Sequence, residues 1–109
     1  MNRNRNITII IGAALVGLFL LPSRALSDEA SAKLYKTKCA SCHGADGKGE
    51  TPAGKAMKAR SFADPAVVAT SDDELAGIIT NGKSKMPKYP SLKPEQIKGL
   101  VEYCRSLAK

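Results

Sequence analysis

Apolar residues recur every three or four positions in several stretches of the chain, which is the spacing of helices with one buried face. The last stretch is the clearest, and Pro94 stands at its start, where proline is favoured. Its apolar positions form one stripe: Ile97, Leu100, Val101, Cys104, Leu107 and Ala108. The pattern predicts an amphipathic helix that faces the core.

Capping signals mark two earlier helices. Ser27 is a candidate N-cap for a first helix, which should run into the residues around Cys39. Ser71 and Glu74 form a capping box for a second helix, and Gly82 is a typical stop for it. We therefore expect three main helices along the chain.

The stretch between the first two of these helices is rich in helix breakers. Residues 44–70 contain several glycines and two prolines, which predicts loops. We expect one short helical turn within them, at residues 55–59. No alternating or continuous strand pattern occurs near this region.

The N-terminus has the three parts of a secretory signal. Two arginines lie in the first five residues, residues 7–21 are almost entirely apolar, and the small residues Ala25 and Ser27 suit a cleavage site. The apolar run would form about 22 Å of helix, less than a membrane span needs. We predict a signal peptide over residues 1–27 and one domain over residues 28–109, with no stable membrane insertion after cleavage. An uncleaved anchor is the alternative.

The charge and the size of the chain limit the partners and cofactors that it is expected to bind. The sequence carries 17 Lys and Arg against 10 Asp and Glu, a formal net charge of +7. Its lysines are scattered and not interleaved with aromatic residues, so nucleic acid is not an expected partner. A domain of about 80 residues has a marginal core and is usually stabilised by a disulfide, a metal or a cofactor. Three cysteines cannot form a complete disulfide framework.

The most specific chemical signal is the run Cys39-Ala40-Ser41-Cys42-His43. Two cysteines at i and i+3 point the same way over one helical turn, so both can form thioethers to one porphyrin. The histidine that follows is then held over the metal, where its imidazole can be the proximal iron ligand. This is the attachment signature of a c-type haem. The motif predicts one haem c, covalently bound through Cys39 and Cys42, with His43 on the iron.

Two other interpretations of the cysteine pair, a redox disulfide and a zinc site, have less support in the sequence. A redox disulfide of the thioredoxin kind would lie beside a βαβ pattern, which is missing around this motif. A structural zinc site would need four ligands, yet Cys104 is the only further thiol and His43 is the sole histidine.

These residues resemble the small class I c-type cytochromes. The motif is followed by Gly44 near the start of the predicted mature chain, residues 82–87 resemble the family's sixth-ligand loop, and residues 100–107 resemble its closing helix. The resemblance implies an all-α fold wrapped around one covalently bound haem, in which the first and last helices cross. Tyr35 and Ser31 fall where the family has an aromatic and a small residue at that crossing.

The resemblance also implies the second axial ligand. Met86 falls at the ligand position, and a thioether there would fill the sixth coordination site and raise the reduction potential. Met57 is interpreted as a loop or surface side chain. Cys104 departs from the family, many of whose members carry a larger aliphatic residue there, and it is interpreted as a small buried hydrophobe.

Two further cofactor contacts are expected at Pro52 and Tyr89. Pro52 falls where some relatives have a proline whose carbonyl accepts the ring proton of the ligating histidine, His43. An ordinary turn proline is the alternative. Tyr89 either packs on the haem or bonds a propionate, and the sequence leaves both open.

Together these features predict a soluble, monomeric single-electron carrier, exported to the periplasm or to the thylakoid lumen, and not an enzyme. Its partners would be redox proteins with acidic docking surfaces. Lysines lie in the loop after the haem motif and around the loop that carries Met86, and both loops should border the exposed haem edge. These lysines are Lys48, Lys55, Lys58, Lys83, Lys85 and Lys88. Two alternatives remain: a haem enzyme or gas sensor with an open sixth position, and a fixed cytochrome subunit of a redox complex.

Overall fold

The computed structural model describes residues 23–109, with side chains from residue 28 onward, and outside that range only the glycines at positions 12 and 17. Most of the predicted signal peptide therefore lies outside the described residues, and its cleavage stays a prediction. Within the described part, no helix is both long and apolar enough to cross a membrane.

The described residues form helices joined by loops, with no strand among them, which confirms the all-α prediction. An isolated antiparallel bridge pairs Lys83 with Met86. In chain order the helices are α1 Ser23–Lys38, α2 Ala40–His43, α3 Pro52–Met57, α4 Pro65–Val68, α5 Asp72–Asn81 and α6 Pro94–Leu107.

The two later predicted helices begin where the sequence places their starts, at Ser71 and Pro94. The Ser71 hydroxyl accepts a hydrogen bond from the Glu74 amide at 3.2 Å and starts α5. Gly82 ends it with a positive φ of 75°. At the start of α6 the Lys93 amide donates to the Gln96 side chain at 2.9 Å. Local side-chain chemistry thus sets the ends of α5, as the sequence indicated, whereas the Gln96 contact at the start of α6 was not predicted.

Three other helix starts differ from the sequence prediction. α1 begins at Ser23 instead of after Ser27, because in the whole chain the helix continues into the segment upstream of the predicted cut. α3 begins at Pro52 and not at residue 55, because Thr51 caps it and proline suits the first helical position. α4 was not predicted; its Asp64 side chain accepts from the Ala66 amide at 2.9 Å.

The core lies where α1 crosses α6, as the resemblance implied. Ser31 is 7% exposed. It faces Gly99 so closely that a Cβ there would collide with its hydroxyl. One turn further along α1, the ring of Tyr35 is 2% exposed and packs at centroid distances of 5.0 Å from Tyr103 and 6.2 Å from Phe62. Two small residues therefore let the helices approach, and an aromatic cluster fills the space beside them.

Candidate cofactor site

A cavity of about 450 Å³ opens beside this crossing, and all six helices contribute to its lining. Its walls are mostly apolar, with α5 supplying Leu75, Ile78 and Ile79 and α6 supplying Leu100 and Val101. The volume lies in the range of sites that bind cofactors. The α6 stripe thus serves both the core and the cavity.

Cys39 and Cys42 both reach this cavity, the first from the short break between α1 and α2 and the second from α2 itself. The Cys39 amide donates to the Tyr35 carbonyl at 2.8 Å, and the His43 amide donates to the Cys39 carbonyl at 3.0 Å, so the motif keeps a helical turn. Both thiols are free and line the cavity. Burial raises the pKa of the Cys39 thiol, against a smaller lowering by Lys38.

His43 lines the same cavity with a half-buried imidazole. Burial lowers the pKa of its imidazole, which favours the uncharged ring that a metal requires. The ring stacks on Phe62 with centroids 4.9 Å apart. Its Nδ1 is buried without a hydrogen-bond partner among the described residues. A neutral, immobilised imidazole beside two thiols fits the haem attachment that the motif predicts.

Pro52 does not meet His43 as expected. It is exposed at the first position of α3, does not line the cavity, and its carbonyl does not accept a proton from His43 Nδ1, which is unpartnered within the described part of the chain. The predicted contact between the Pro52 carbonyl and the His43 ring is thus not formed among the described residues, and it stays a prediction beside its alternative, a turn proline. Thr51, the residue before it, is the N-cap of α3.

Thr51 makes the contact between α2 and α3 that sequence reasoning missed. Its hydroxyl donates to the Ser41 carbonyl at 2.7 Å, lies 3.0 Å from the Cys42 carbonyl, and accepts from the Gly54 amide at 2.9 Å. A Cβ on Gly54 would collide with the Cys42 carbonyl. The pair Thr51-Pro52, an N-cap followed by an N1 proline, was the available signal.

Met86 reaches the cavity on a tight loop whose shape is set by its backbone. The Lys83 amide donates to the Met86 carbonyl at 3.3 Å and the Met86 amide to the Lys83 carbonyl at 2.9 Å. Gly82 and Ser84 both have positive φ, 75° and 52°. A Cβ on Gly82 would lie 2.8 Å from the Met86 carbonyl. The loop therefore depends on glycine at residue 82.

Met57 also lines the cavity, so two thioethers border it. It is the last residue of α3, not a loop residue, and is 48% exposed, whereas Met86 is half-buried. Lys58 follows it in the left-handed conformation, at φ 56°. Assignment of Met86 as the axial ligand stays a prediction, and Met57 is its natural comparison.

Tyr89 lines the cavity with its hydroxyl already engaged. That hydroxyl donates to the Lys38 carbonyl at 2.9 Å, and the Tyr89 amide donates to the Ile79 carbonyl at 3.0 Å. The Lys38 ammonium lies 6.0 Å from the ring centroid. Because the one hydroxyl proton is used, the arrangement favours packing against a cofactor over donation to a propionate.

Basic side chains surround the cavity. Two of the lining residues, Lys38 and Arg60, were not singled out from the sequence, although Lys38 directly precedes Cys39. All of the basic lining residues are exposed. They are Lys38, Lys58, Arg60, Lys83 and Lys85.

Arg105 supports one cavity wall from outside and was also missed. Its guanidinium donates to Asp72 Oδ1 at 2.8 and 3.0 Å, to the Thr70 carbonyl at 2.5 Å and to the Val67 carbonyl at 3.3 Å. Thr70 and Val67 line the cavity. Its neighbour Cys104 also lines the cavity, and burial raises the pKa of that thiol to about 12.

Known proteins resemble the chain over most of its length. Residues 27–104 match the family described as cytochrome C oxidase, cbb3-type, subunit III. The chain is 34% identical over 97 residues to cytochrome c6 of Nostoc sp. (strain PCC 7120 / SAG 25.82 / UTEX 2576), covering 87% of this chain and 85% of that relative. A solved structure described as KustC0563 c-type cytochrome matches with a TM-score of 0.64 and 38% identity, covering 72% of this chain and 98% of that one.

Proposed function

The chain belongs to the c-type cytochrome family, and we propose that it carries single electrons on one haem c, bound through Cys39 and Cys42 and ligated by His43 and Met86. The family is one of electron carriers and not of enzymes. The observation that supports the proposal most is that these four side chains line one cofactor-sized cavity.

Each of these residues has a distinct task. The bound haem iron would supply the one-electron chemistry. Cys39 and Cys42 would anchor the porphyrin, while the His43 ring and the Met86 thioether would ligate its iron. The apolar walls would exclude water, which favours the less charged reduced state. Two protein ligands leave no open position for a substrate.

Export and partner choice extend the proposal. A signal peptide ending at Ser27 would deliver the chain to the periplasm or the thylakoid lumen as a monomer. Its partners would be redox proteins with acidic docking surfaces. The basic residues around the cavity support this, because they would attract such surfaces to the edge where electrons leave. Raised ionic strength should therefore slow electron exchange with an acidic partner.

The ligand assignment is tested by comparing two methionine variants. Purified wild-type protein should keep its pigment in acidified acetone, and its ferric form should show the weak red band of methionine-to-iron charge transfer. Met86→Ala should abolish the band. Met57→Ala, which alters the other thioether at the cavity, should keep it. Loss of the band in Met57→Ala alone would transfer the role to Met57.

A wild-type protein without the band that binds carbon monoxide readily would support an open sixth position instead. A protein that releases its pigment in acidified acetone would contradict covalent attachment.

A second candidate role is a fixed subunit of a redox complex, which the description of the matching family favours. Fractionation separates the two roles. A free carrier should be recovered in the periplasmic fraction and should elute from a size-exclusion column as a monomer. A fixed subunit should stay with the membranes after a high-salt wash and elute only with larger partners.

A further inference from the structure

Few hydrogen bonds join the loop that carries Met86 to the part of the chain that contains the haem-binding motif. Among the hydrogen bonds of the described residues, only one joins residues 82–93 to residues 28–62, namely that from the Tyr89 hydroxyl to the Lys38 carbonyl. The two residues are 51 positions apart. Lys38 directly precedes Cys39, and Tyr89 lies three residues after Met86.

Lys38 engages Tyr89 twice. Its carbonyl accepts the phenolic proton at 2.9 Å, and its ammonium lies 6.0 Å from the centre of the same ring. The first contact is directional and the second is a cation–π contact at the outer limit of the useful distance. Both Lys38 and Tyr89 line the cavity, so this contact lies at its boundary.

Tyr89 is also fastened to α5. Its amide donates to the Ile79 carbonyl at 3.0 Å, and its own carbonyl accepts from the Leu92 amide at 3.3 Å. The ring is half-buried. The backbone of Tyr89 is therefore held by α5, while its hydroxyl reaches the end of α1.

We propose that Tyr89 is a positioning residue: its hydroxyl latches the Met86 loop to the end of α1 and so keeps the sixth coordination position closed. The latch rests on the proposed function, because its consequence is the stability of the Met86–iron bond. It would act through the loop backbone and not by contact with the metal. When the latch is lost, the loop opens more often, and an external ligand gains access.

The test is Tyr89→Phe, which removes one oxygen and keeps the ring. Imidazole is titrated into the ferric holoprotein and followed by loss of the red methionine band. A hydrogen bond at this exposed site should change the opening equilibrium by about fivefold, so imidazole affinity should rise by that factor. Tyr103→Phe is the matched control, because Tyr103 packs on Tyr35 and does not line the cavity. Its imidazole affinity should match wild type.

A second measurement does not depend on the metal ligand. Native-state hydrogen exchange of the Tyr89 amide, which is bonded to Ile79, should also speed up about fivefold in Tyr89→Phe. If imidazole affinity and amide exchange both stay within twofold of wild type, the latch is refuted. If Tyr89→Phe instead changes only the pH dependence of the reduction potential, the hydroxyl bonds a propionate and the latch is equally refuted.

Failure of the proposed function has a different signature. If Met86→Ala keeps the red band, Met86 is not the ligand. The exchange rate of the Tyr89 amide still decides whether the hydroxyl holds the loop.

Discussion

Side chains determine the contact where α1 crosses α6, whereas the backbone determines the loop that carries Met86. At the crossing, Tyr35 and Leu100 are 2% and 1% exposed, and two small residues permit close approach. In the loop, Met86 is only half-buried, and two residues with positive φ set the path of the chain. The crossing should therefore contribute most to the free energy of unfolding, while the conformation of the loop should mainly affect the bond between Met86 and the iron.

The largest expected effect comes from Gly99→Val at the crossing. The new side chain would collide with Ser31, and overpacking of this kind should lower the free energy of unfolding by about 3 kcal/mol. Denaturant unfolding of the holoprotein measures it. Gly77→Ala in α5 is the control: a Cβ there meets nothing within 4 Å, so the better helix former should stabilise by ~0.5–1 kcal/mol. Equal losses in both variants would mean that close approach is not the reason for Gly99.

Gly82→Ala tests the loop itself. Gly82 has φ 75° and ψ 169°, a region that is essentially closed to other residues, so alanine should cost about 2 kcal/mol and weaken the red methionine band. Ser84→Gly should act in the opposite direction, with a gain of ~0.5 kcal/mol, because serine there holds φ 52°. Denaturation and the ferric spectrum measure both. An unchanged band in Gly82→Ala would contradict the dependence of Met86 on loop shape.

Tyr35→Phe tests the link between the crossing and the haem motif. The Tyr35 hydroxyl donates to the Gly44 carbonyl at 2.6 Å, and both residues are buried. Its loss leaves a buried acceptor unpaired and should cost about 1.5 kcal/mol. Tyr103→Phe, which keeps the aromatic packing, should cost less than Tyr35→Phe in the same unfolding assay. Equal costs would show that the bond from Tyr35 to Gly44 contributes no more to stability than the hydroxyl of Tyr103.

The smallest effect at neutral pH is expected from Cys104. Burial raises the pKa of the folded thiol to about 12 from an ordinary value of 9.0, so the stability it contributes is complete below pH 9 and falls as the pH approaches 12. Cys104→Val should reduce that alkaline fall and leave stability near pH 7 almost unchanged. Burial also raises the pKa of Tyr35, so part of the fall should remain. Iodoacetamide should modify Cys104 only after unfolding.

The helices and the cysteine–histidine motif could be predicted because their signals are local. The α6 stripe, the Ser71 cap and the spacing of Cys39 and Cys42 are read within a few neighbouring residues. α4 was missed because Pro65 was interpreted only as a helix breaker, although it follows a capping Asp64. Pro52 was assigned a histidine contact by resemblance, and the structure adds that it is the first residue of α3.

The sequence by itself determined the main helices and the cysteine–histidine motif, since periodicity, caps and metal-ligand spacing depend on side-chain identity over short distances. Its resemblance to the small class I c-type cytochromes supplied the family, the all-α class and the methionine ligand. Only the tertiary structure decided that Tyr89 reaches Lys38, that Arg105 supports the wall at Val67 and Thr70, and that Thr51 joins α3 to α2. In each of these contacts the acceptor is a backbone carbonyl. Every residue carries one, so no sequence pattern marks which carbonyl a distant side chain will find.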